Sequence, residues 1–593
     1  MSLEALVRRA VTTPLKYART LSHARAWQVG GRLFERFPKR SPKKAPAHLT
    51  LGPPPAFPFL EHDPWNRRAA LVEGKFTFLN ETRELGMPPS WDPVGAPLLW
   101  TFNLHYFQFL HLLDPRAQLE VCRSWIRACP PVQRPAWHPY PLSLRIGAWV
   151  RARLDDRQIL ESLYQQSSFL SKHLETHVYG NHLLENARAL VLAGTFFERF
   201  GEAPSWRELG LSVITKELDE QLLSDGFHYE LSPMYHVLML ALVLDVLAVI
   251  DPGEPRRASL ERATREMGDA LATVLHPDGS IPLFNDSTYE IAPPPRVVLD
   301  RLHTLTGHEA RARESLPASG YHAIRDDGCF GVIDAGAPGP THLLAHAHSD
   351  LFSFELSLYG QLVVVNTGVE EYRAGPSRTY VRSAAAHSSL SVDGLGHLET
   401  WSSFKVARAF SPRDVRVVRD GRRIRVEGWF DGFGDQLGEN VAHRRVFELD
   451  LDAKRLAVDD WVTGSGVHEI TSFVHLAPGI ETRLEELVRG QTITMTSRSE
   501  AGSPAQGIAR ARILEGRARL ERTPFHPRFG VREDRTTIVL SDRGPLPRRL
   551  RYEISWLDSR GSGLNLEAQK VLDEVACARP VDDVTARQRT ENA

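Results

Sequence analysis

The sequence predicts a multidomain α+β protein, in which a helical domain is followed by an antiparallel β-sandwich domain. The chain has 593 residues, which is more than one hydrophobic core usually supports. From about residue 100 to 315, apolar residues recur at spacings of three and four, the period of helices. After about residue 320 the period changes towards two, the period of strands. The change of period predicts the order of the two domains.

The first two segments of the predicted organisation are residues 1–95 and residues 96–318. Residues 1–95 are rich in proline and basic residues, as in PKRSPKKAPAH and LGPPPAFPF, and show little sustained periodicity. We expect this lead-in segment to wrap around its neighbour rather than to fold as a separate domain. Residues 96–318 contain the helical runs, several of which are separated by turn-forming stretches such as GEAPS. Successive antiparallel helix pairs would form a toroid or a solenoid.

The other two predicted segments are residues 319–580 and residues 581–593. The first contains many strand-like runs, such as SFELSLYG, RIRVEGWF and HRRVFELD, bounded by Gly, Asp, Asn or Ser. Because no helical runs separate these strands, we expect a layered antiparallel β-sandwich. The last segment is polar and is expected to be a frayed tail.

Composition excludes several classes of protein. Hydrophobic residues make up 42% and charged residues 24%, which is typical of a soluble globular protein. The formal net charge is −1, so the chain as a whole has no excess of positive charge to attract nucleic acid, and no nucleic-acid partner is expected. The four cysteines have no CxxC spacing and indicate neither a disulfide framework nor a cysteine metal site. They are interpreted as small core residues and are Cys122, Cys129, Cys329 and Cys577.

Neither a membrane span nor a signal peptide is expected. The most apolar helical stretch, Val237 to Ile250, has 14 residues and includes Asp245, so it is too short to cross a membrane. The N-terminus is basic and amphipathic, without an uninterrupted apolar core before a small-residue cleavage site. The sequence gives no oligomeric state.

Two segments of the helical region place polar groups inside apolar patterns. In GNHLLEN, Asn181 and Glu185 lie four apart and share one helix face with Arg188. An N-cap asparagine with helix-surface partners is the alternative interpretation. In DGFHYELSPMYH, a cluster that includes Tyr229 and Tyr235 precedes the most apolar helix, so it needs partners or a cavity. A tyrosine there can transfer protons, although capping and core roles are equally open.

Two segments of the β region carry further candidates. His346, His348 and Asp350 lie two apart, so an extended chain would place them on one face. This set suits a metal site or a proton-transfer site, and a surface histidine pair is the alternative. Arg378 and Arg382 can bind a carboxylate or a sulfate through bidentate hydrogen bonds, unless they lie on a solvated loop.

The order of these segments resembles the heparinase II/III family of polysaccharide lyases. The motifs are NHLLEN, then DGxxxExSPxYH, then HAHSDxxSFEL, and finally RxYxRSxxxH with VDG. The likeness covers roughly residues 100 to 480. It implies an incomplete (α/α) toroid joined to an antiparallel β-domain, with the substrate cleft between them. It also implies a periplasmic or secreted location, since relatives commonly act there.

The resemblance implies roles for individual residues. Asn181 matches the asparagine that neutralises the uronate carboxylate, Tyr235 the tyrosine that transfers protons, and His346 the catalytic histidine of the β-domain. The further candidates for substrate contact are His182, Glu185, His228, Glu230, Arg378 and Arg382.

The resemblance also implies a possible structural metal. His348 and His387 match positions that hold a divalent metal, often zinc, in some relatives. The third such ligand is usually an aspartate, where this chain has Asn366. A neutral amide is a poorer zinc ligand than a carboxylate. No organic cofactor is expected.

The expected activity is β-elimination on an acidic polysaccharide that contains uronic acid. Loss of the C5 proton places negative charge on the adjacent carboxylate, which the enzyme must neutralise. A glycoside hydrolase is the nearest alternative, with its two carboxylates drawn from Glu185, Glu230 and Asp286. A non-catalytic polysaccharide-binding protein of exopolysaccharide assembly is the third interpretation.

Overall fold

The structure is a computed structural model of the chain. It describes residues 3–34, 39, 41–488, 490–497 and 506–556. Cys577 and the predicted polar tail, residues 581–593, lie outside the described residues. The other three cysteines are buried and form no disulfide.

The N-terminal half is helical, apart from one hairpin formed by β1 (Lys75–Phe78) and β2 (Glu81–Glu84). The helices are α1 (Leu3–His23), α2 (Ala26–Phe34), α3 (Arg68–Val72), α4 (Leu98–Tyr106), α5 (Pro115–Ala128), α6 (Pro139–Ala152), α7 (Arg157–Leu170), α8 (Gly180–Phe196), α9 (Ala203–Gln221), α10 (Pro233–Leu247), α11 (Arg257–Val274) and α12 (Pro295–Thr306). Helices α4, α6, α8, α10 and α12 contact one another in that order, and α7, α9 and α11 pack against them. Most of α10 is buried because its sequence is apolar on nearly all sides.

The C-terminal half consists of antiparallel strands and two short helices, α13 (Pro376–Val381) and α14 (Gly432–Leu437). The strands are β3 (Ser315–Leu316), β4 (Tyr321–Asp326), β5 (Cys329–Asp334), β6 (Phe354–Leu358), β7 (Gln361–Val364), β8 (Leu390–Val392), β9 (Leu398–Trp401), β10 (Lys405–Ala409), β11 (Arg413–Asp420), β12 (Arg423–Phe430), β13 (Val441–Asp450), β14 (Arg455–Gly464), β15 (Val467–His475), β16 (Ile480–Leu487), β17 (Gly490–Ser497), β18 (Gln506–Glu515), β19 (Arg517–Phe525), β20 (Glu533–Pro545) and β21 (Arg548–Trp556).

These strands form layered sheets around one core. The largest sheet has the order β11-β12-β13-β14-β21-β18-β17-β16, and others have the orders β3-β4-β5-β6-β7 and β19-β20-β15-β8. Strand β12 alternates outward and buried side chains, as its sequence period of two predicts. Its Val426 pairs with Phe447 of β13, and both join a core that also contains Leu356, Ile470 and Leu540. The fold class expected from the sequence is confirmed.

The lead-in segment contains helices that its sequence pattern did not indicate. The Thr20 hydroxyl of α1 donates to the Val406 carbonyl of β10 over 2.9 Å. Arg25, at the start of α2, pairs with Glu220 of α9 at 2.6 Å. Helices α1 and α2 therefore contact both halves of the molecule. No helix in the described part of the chain is long and apolar enough to cross a membrane.

Candidate active site

A cavity of about 1070 Å³ lies between the helical and the β halves. Asn181 of α8 and Tyr235 of α10 line it from the helical half. His346, on the loop between β5 and β6, lines it from the β half. The three residues that the resemblance singles out as catalytic therefore share one cavity, although 165 positions of sequence numbering separate Asn181 from His346 (346 − 181).

The carboxylate of Asp286 fixes the histidines of the β half. It accepts a hydrogen bond from His346 Nδ1 at 2.9 Å and another from His348 Nε2 at 2.7 Å. The guanidinium of Arg378 donates to both carboxylate oxygens, with Nη2 at 2.8 Å from Oδ2. Burial alone would raise the pKa of Asp286, but Arg378 and the two histidines outweigh it and hold that pKa well below its ordinary value. Asp286 is therefore ionised and accepts from Nδ1 of His346. The other ring nitrogen, Nε2, lies on the opposite edge of the His346 ring from this hydrogen bond.

Two tyrosines lie beside His346. The hydroxyl oxygens of Tyr235 and Tyr372 are 3.2 Å apart, and the Tyr235 ring centre is 4.2 Å from that of His346. Burial, followed by the neighbouring Tyr372 and Asp286, raises the pKa of Tyr235 well above its ordinary value. Tyr235 is therefore held in its protonated form, ready to donate.

Glu230 connects the start of α8 to His346. Its Oε1 accepts the Asn181 backbone N–H at 3.0 Å, and its Oε2 lies 3.3 Å from both Asn181 Nδ2 and His346 Nε2. Gly180 permits this approach, because its φ is +57° and an added Cβ would lie 2.3 Å from Glu230 Oε1. The sequence pair Gly180-Asn181 thus serves a specific contact between α8 and the loop before α10.

Two further predicted residues line the same cavity. His182 donates from Nδ1 to the buried Glu175 at 3.0 Å. Burial lowers the pKa of His182, but Glu175 outweighs that effect, and the net shift is upward, towards the charged form. Glu185 is bound by Arg188, which donates to it from Nε at 3.0 Å and from Nη2, while Nη1 of Arg188 donates to Asp245 at 2.9 Å. The Glu185 carboxylate is therefore part of a buried ion pair with Arg188.

Three predicted substrate contacts lie away from the cavity wall. His228 is fully buried, and its Nε2 lies 3.0 Å from Gln221 Oε1. Arg378 is bound to Asp286, and Arg382 donates from Nη2 to the Ala347 carbonyl at 2.9 Å. This placement does not match the expected contact with a substrate anion, because both guanidinium groups are buried and occupied by protein acceptors.

The three predicted metal positions converge, but the set does not fit a divalent metal. His387 Nδ1 lies 3.2 Å from Asn366 Oδ1, and the ring centres of His348 and His387 are 5.4 Å apart. His348 already donates to Asp286, His387 Nε2 bonds the Val381 carbonyl, and the third group is a neutral amide. Within the described ranges, no group of three or more His, Cys, Asp or Glu residues could hold a metal. With Asn366 Nδ2 buried and unbonded, rotation of the amide would let it donate to His387 Nδ1.

Sequence reasoning did not assign two residues to the site. The sequence predicts Asp286 only as a hydrolase carboxylate, and Tyr372 is not among the predicted site residues. The run Phe284-Asn285-Asp286, polar after an apolar stretch, was the available signal for the first. No local pattern indicates Tyr372, because its partner Tyr235 is 137 positions away.

The fold and the site together define a class of protein, a helical toroid joined to an antiparallel β domain with a tyrosine–histidine cleft between them. Known protein families with this combination of domains match the chain. The family model Heparinase II/III N-terminus matches residues 116–293, and Heparinase II/III-like, C-terminal matches residues 308–561. The chain belongs to the heparinase II/III-like family.

The curated relatives match over part of their length. A heparin-sulfate lyase of Pedobacter heparinus is 27% identical over 270 residues, which cover 40% of this chain and 39% of that protein. A heparin-sulfate lyase of Bacteroides thetaiotaomicron is 26% identical over 200 residues, 28% of each chain. The aligned region therefore spans less than half the length of these relatives.

Solved structures share the fold over most of the chain. A heparinase III structure has a TM-score of 0.63 at 18% identity and covers 80% of each chain. A heparan sulfate lyase from Pedobacter heparinus has a TM-score of 0.55 at 18% identity, covering 90% of this chain and 88% of the other. At this identity the likeness concerns the fold.

Proposed function

We propose that this protein is a carbon–oxygen lyase that cleaves an acidic, uronic-acid-containing polysaccharide by β-elimination. The observation that carries the proposal is the placement of Tyr235 and His346 side by side in a cavity that also contains Asn181. The named activity of the curated relatives, heparin-sulfate lyase, supports the same reaction.

The reaction needs stabilisation of charge on the uronate. When the C5–H bond breaks, negative charge develops on the adjacent carboxylate, and donors placed there in advance lower the barrier. The Asn181 amide and the His182 ring, whose pKa is raised, both line the cavity. These two groups are suited to hold the carboxylate as the charge develops.

The reaction also needs a base and an acid. In the proposed sequence, His346 Nε2 takes the C5 proton while Asp286 stabilises the imidazolium through its bond to Nδ1. The C4–C5 double bond forms and the C4–O bond breaks as Tyr235 gives its proton to the departing glycosidic oxygen. Proton return from His346 to Tyr235 restores the starting state, so no water is consumed. The short distance between the two rings suits that return.

The carboxylate contacts disfavour the hydrolase alternative. A glycosidase needs two carboxyl groups free to act on either side of the scissile bond. Glu185 is bound by Arg188, and Asp286 is fully buried against Arg378. Of the three candidates, Glu185 and Asp286 are each bound by an arginine, which leaves Glu230, and one carboxylate is not sufficient. The third interpretation, polysaccharide binding without catalysis, leaves the arrangement of Tyr235, His346 and Asp286 without a role.

The proposal is tested by incubating the protein with a panel of uronate polymers and recording the absorbance of the unsaturated product. Asn181→Ala is expected to lower turnover by about a hundredfold to a thousandfold, because the amide acts on charge that develops in the transition state. Binding of the polymer should weaken much less. Unchanged turnover in a correctly folded Asn181→Ala protein, or saturated products from the native protein, would contradict the proposal.

A further inference from the structure

Tyr179 has an unusual backbone conformation immediately before Gly180 and Asn181. Its φ is +70° and its ψ is −163°, a combination that is occupied almost only by glycine. Tyr179 also precedes the first turn of α8, yet its side chain makes no capping hydrogen bond there. Serine, threonine, aspartate and asparagine are preferred at such a position. Neither the backbone conformation nor capping therefore explains a tyrosine, which leaves the contacts of its side chain.

The side chain of Tyr179 is held by three other segments. The Trp27 ring of α2 packs against it, with the ring centres 5.1 Å apart. The Tyr179 hydroxyl donates to Oε2 of Glu220 on α9. The ring of His342, which precedes His346 on the loop between β5 and β6, meets it edge-on at 5.6 Å. The lead-in segment, the helical half and the β half therefore meet at this one buried ring.

Glu220 connects Tyr179 to the lead-in segment. Arg25 pairs with its Oε1 at 2.6 Å, and the Arg25 guanidinium lies 5.7 Å from the centre of the Tyr179 ring. Burial, followed by the hydrogen bond with Glu220, raises the pKa of Tyr179 above its ordinary value, so its hydroxyl stays protonated and can donate. Trp27, Arg25 and Glu220 do not line the cavity, so they are not placed to touch a substrate there.

The conformation of Tyr179 sets the direction in which α8 begins. Asn181 lies two positions further along, where it lines the cavity. A tyrosine keeps such a backbone conformation only where its surroundings impose it, so release of the ring would let this turn change course and move Asn181. The same turn packs against the loop that carries His346, since an added Cβ on Gly180 would lie 2.7 Å from Leu343.

We infer that Tyr179 is a positioning residue for the proposed reaction, and that its clamp consists of Trp27 and Glu220. The clamped ring holds the start of α8, so that the Asn181 amide faces the uronate carboxylate when charge develops on it. The inference rests on the proposed function and adds residues that touch neither the substrate nor the transferred protons. It also gives the lead-in segment a part in the reaction, through α2.

A pair of variants on α9 tests the clamp. Glu220→Ala removes the acceptor of the Tyr179 hydroxyl, and we expect kcat to fall at least about tenfold, as for the loss of one hydrogen bond to a charged group. KM should change much less, because Asn181 acts on charge that develops in the transition state. Glu208→Ala is the matched control, since Glu208 also pairs with an arginine, Arg256, and lies outside the cavity. Equal kcat for the two variants would overturn the inference.

A double-mutant cycle shows whether Glu220 acts through Asn181. In the Asn181→Ala protein no amide is left to position, so adding Glu220→Ala should lower kcat by less than about threefold. A general loss of stability would not depend on the residue at position 181. Losses that multiply in full would mean that Glu220 acts on some other part of the protein, which overturns the inference.

Hydrogen exchange separates failure of the inference from failure of the proposed function. Mass spectrometry follows the backbone amides of the first two turns of α8, including that of Asn181, without any substrate. They should exchange several-fold faster in Trp27→Ala and Glu220→Ala than in the native protein or Glu208→Ala. Trp27→Phe should restore slow exchange, because it keeps an aromatic ring against Tyr179.

Faster exchange in the two clamp variants supports the positioning role of Tyr179 even if the native protein cleaves no uronate polymer, in which case the lyase proposal alone fails. Equal exchange in all of these proteins shows that the clamp does not hold the start of α8, and overturns the inference whatever the activity.

Discussion

The hydroxyl oxygen of Tyr235 lies 3.2 Å from that of Tyr372, although Tyr235 belongs to the first turn of α10 and Tyr372 to the loop between β7 and α13. The helical and β halves therefore meet at the proposed acid. The Tyr372 ring is itself held between Phe404, at 5.1 Å, and Phe529, at 4.9 Å. A phenol in this position can donate to Tyr235 once Tyr235 has given up its proton.

Replacing Tyr235 by Phe should abolish most turnover while preserving the fold and polymer binding. The substitution removes one hydroxyl and little volume, so its effect falls on proton transfer. Tyr229→Phe is a matched control, since Tyr229 is buried in the same segment but does not line the cavity. Initial rates of the two purified variants are compared. If Tyr235→Phe retains near wild-type rates, Tyr235 is a capping or packing residue.

Replacing Tyr372 by Phe should cause a smaller loss. A hydrogen bond to a charged group contributes about 1.5–3 kcal/mol, so kcat should fall by roughly tenfold to a hundredfold. KM should change little, because the bond strengthens only when Tyr235 is deprotonated. Steady-state kinetics on one polymer measure both values. A rise in KM with unchanged kcat would instead assign Tyr372 to substrate binding.

Metal should be substoichiometric in the purified protein, and a chelator should shift its melting temperature little. The reason is the neutral amide of Asn366 at the position of the third ligand. Elemental analysis and thermal melting with and without chelator provide the measurement. Asn366→Asp is the matched variant, expected to raise zinc content by restoring a carboxylate. Stoichiometric zinc with strong chelator sensitivity in the native protein would contradict this and point to Asp350 or water as a replacement ligand.

The free energy of unfolding should fall steeply as the pH drops below about 6.5. Burial lowers the pKa of His105 and His236 to about 3, and that of His228 and His322 to about 4. The unfolded chain therefore takes up these protons first, so this stability is complete above the unfolded pKa and is lost as the pH falls towards the folded values. Each histidine contributes a slope of about 1.4 kcal/mol per pH unit within that window.

Chemical denaturation at a series of pH values measures the slope. In His322→Asn, the slope should decrease by the contribution of one histidine, whatever the effect of the substitution on stability at neutral pH. A free energy of unfolding that is constant between about pH 6.5 and 4.5 would show that these histidines are protonated in the folded protein.

Local patterns predicted the fold class and the grouping of several site residues, but not their charge partners. The spacing of His346 and His348 placed both on one side of an extended chain, and both do bond the same carboxylate. That carboxylate, Asp286, lies 60 positions before His346 in the chain, so no periodicity connects them. The predicted contact of Arg378 with a substrate anion was wrong for the same reason. Whether an arginine meets solvent or a buried acid depends on tertiary packing, and Arg378 is buried against Asp286.

Helices α1 and α2 precede residue 116, where the match to the family begins, yet they supply part of the cavity. Selection can therefore alter which polymer is accepted by changing a segment that carries no proton-transfer group. Two family members that share the residues matching Tyr235, His346 and Asn181 can therefore differ in the polymer they accept without differing in the reaction they catalyse. A classification built only on the matched regions would place such enzymes together and would overlook the part of the chain that distinguishes them.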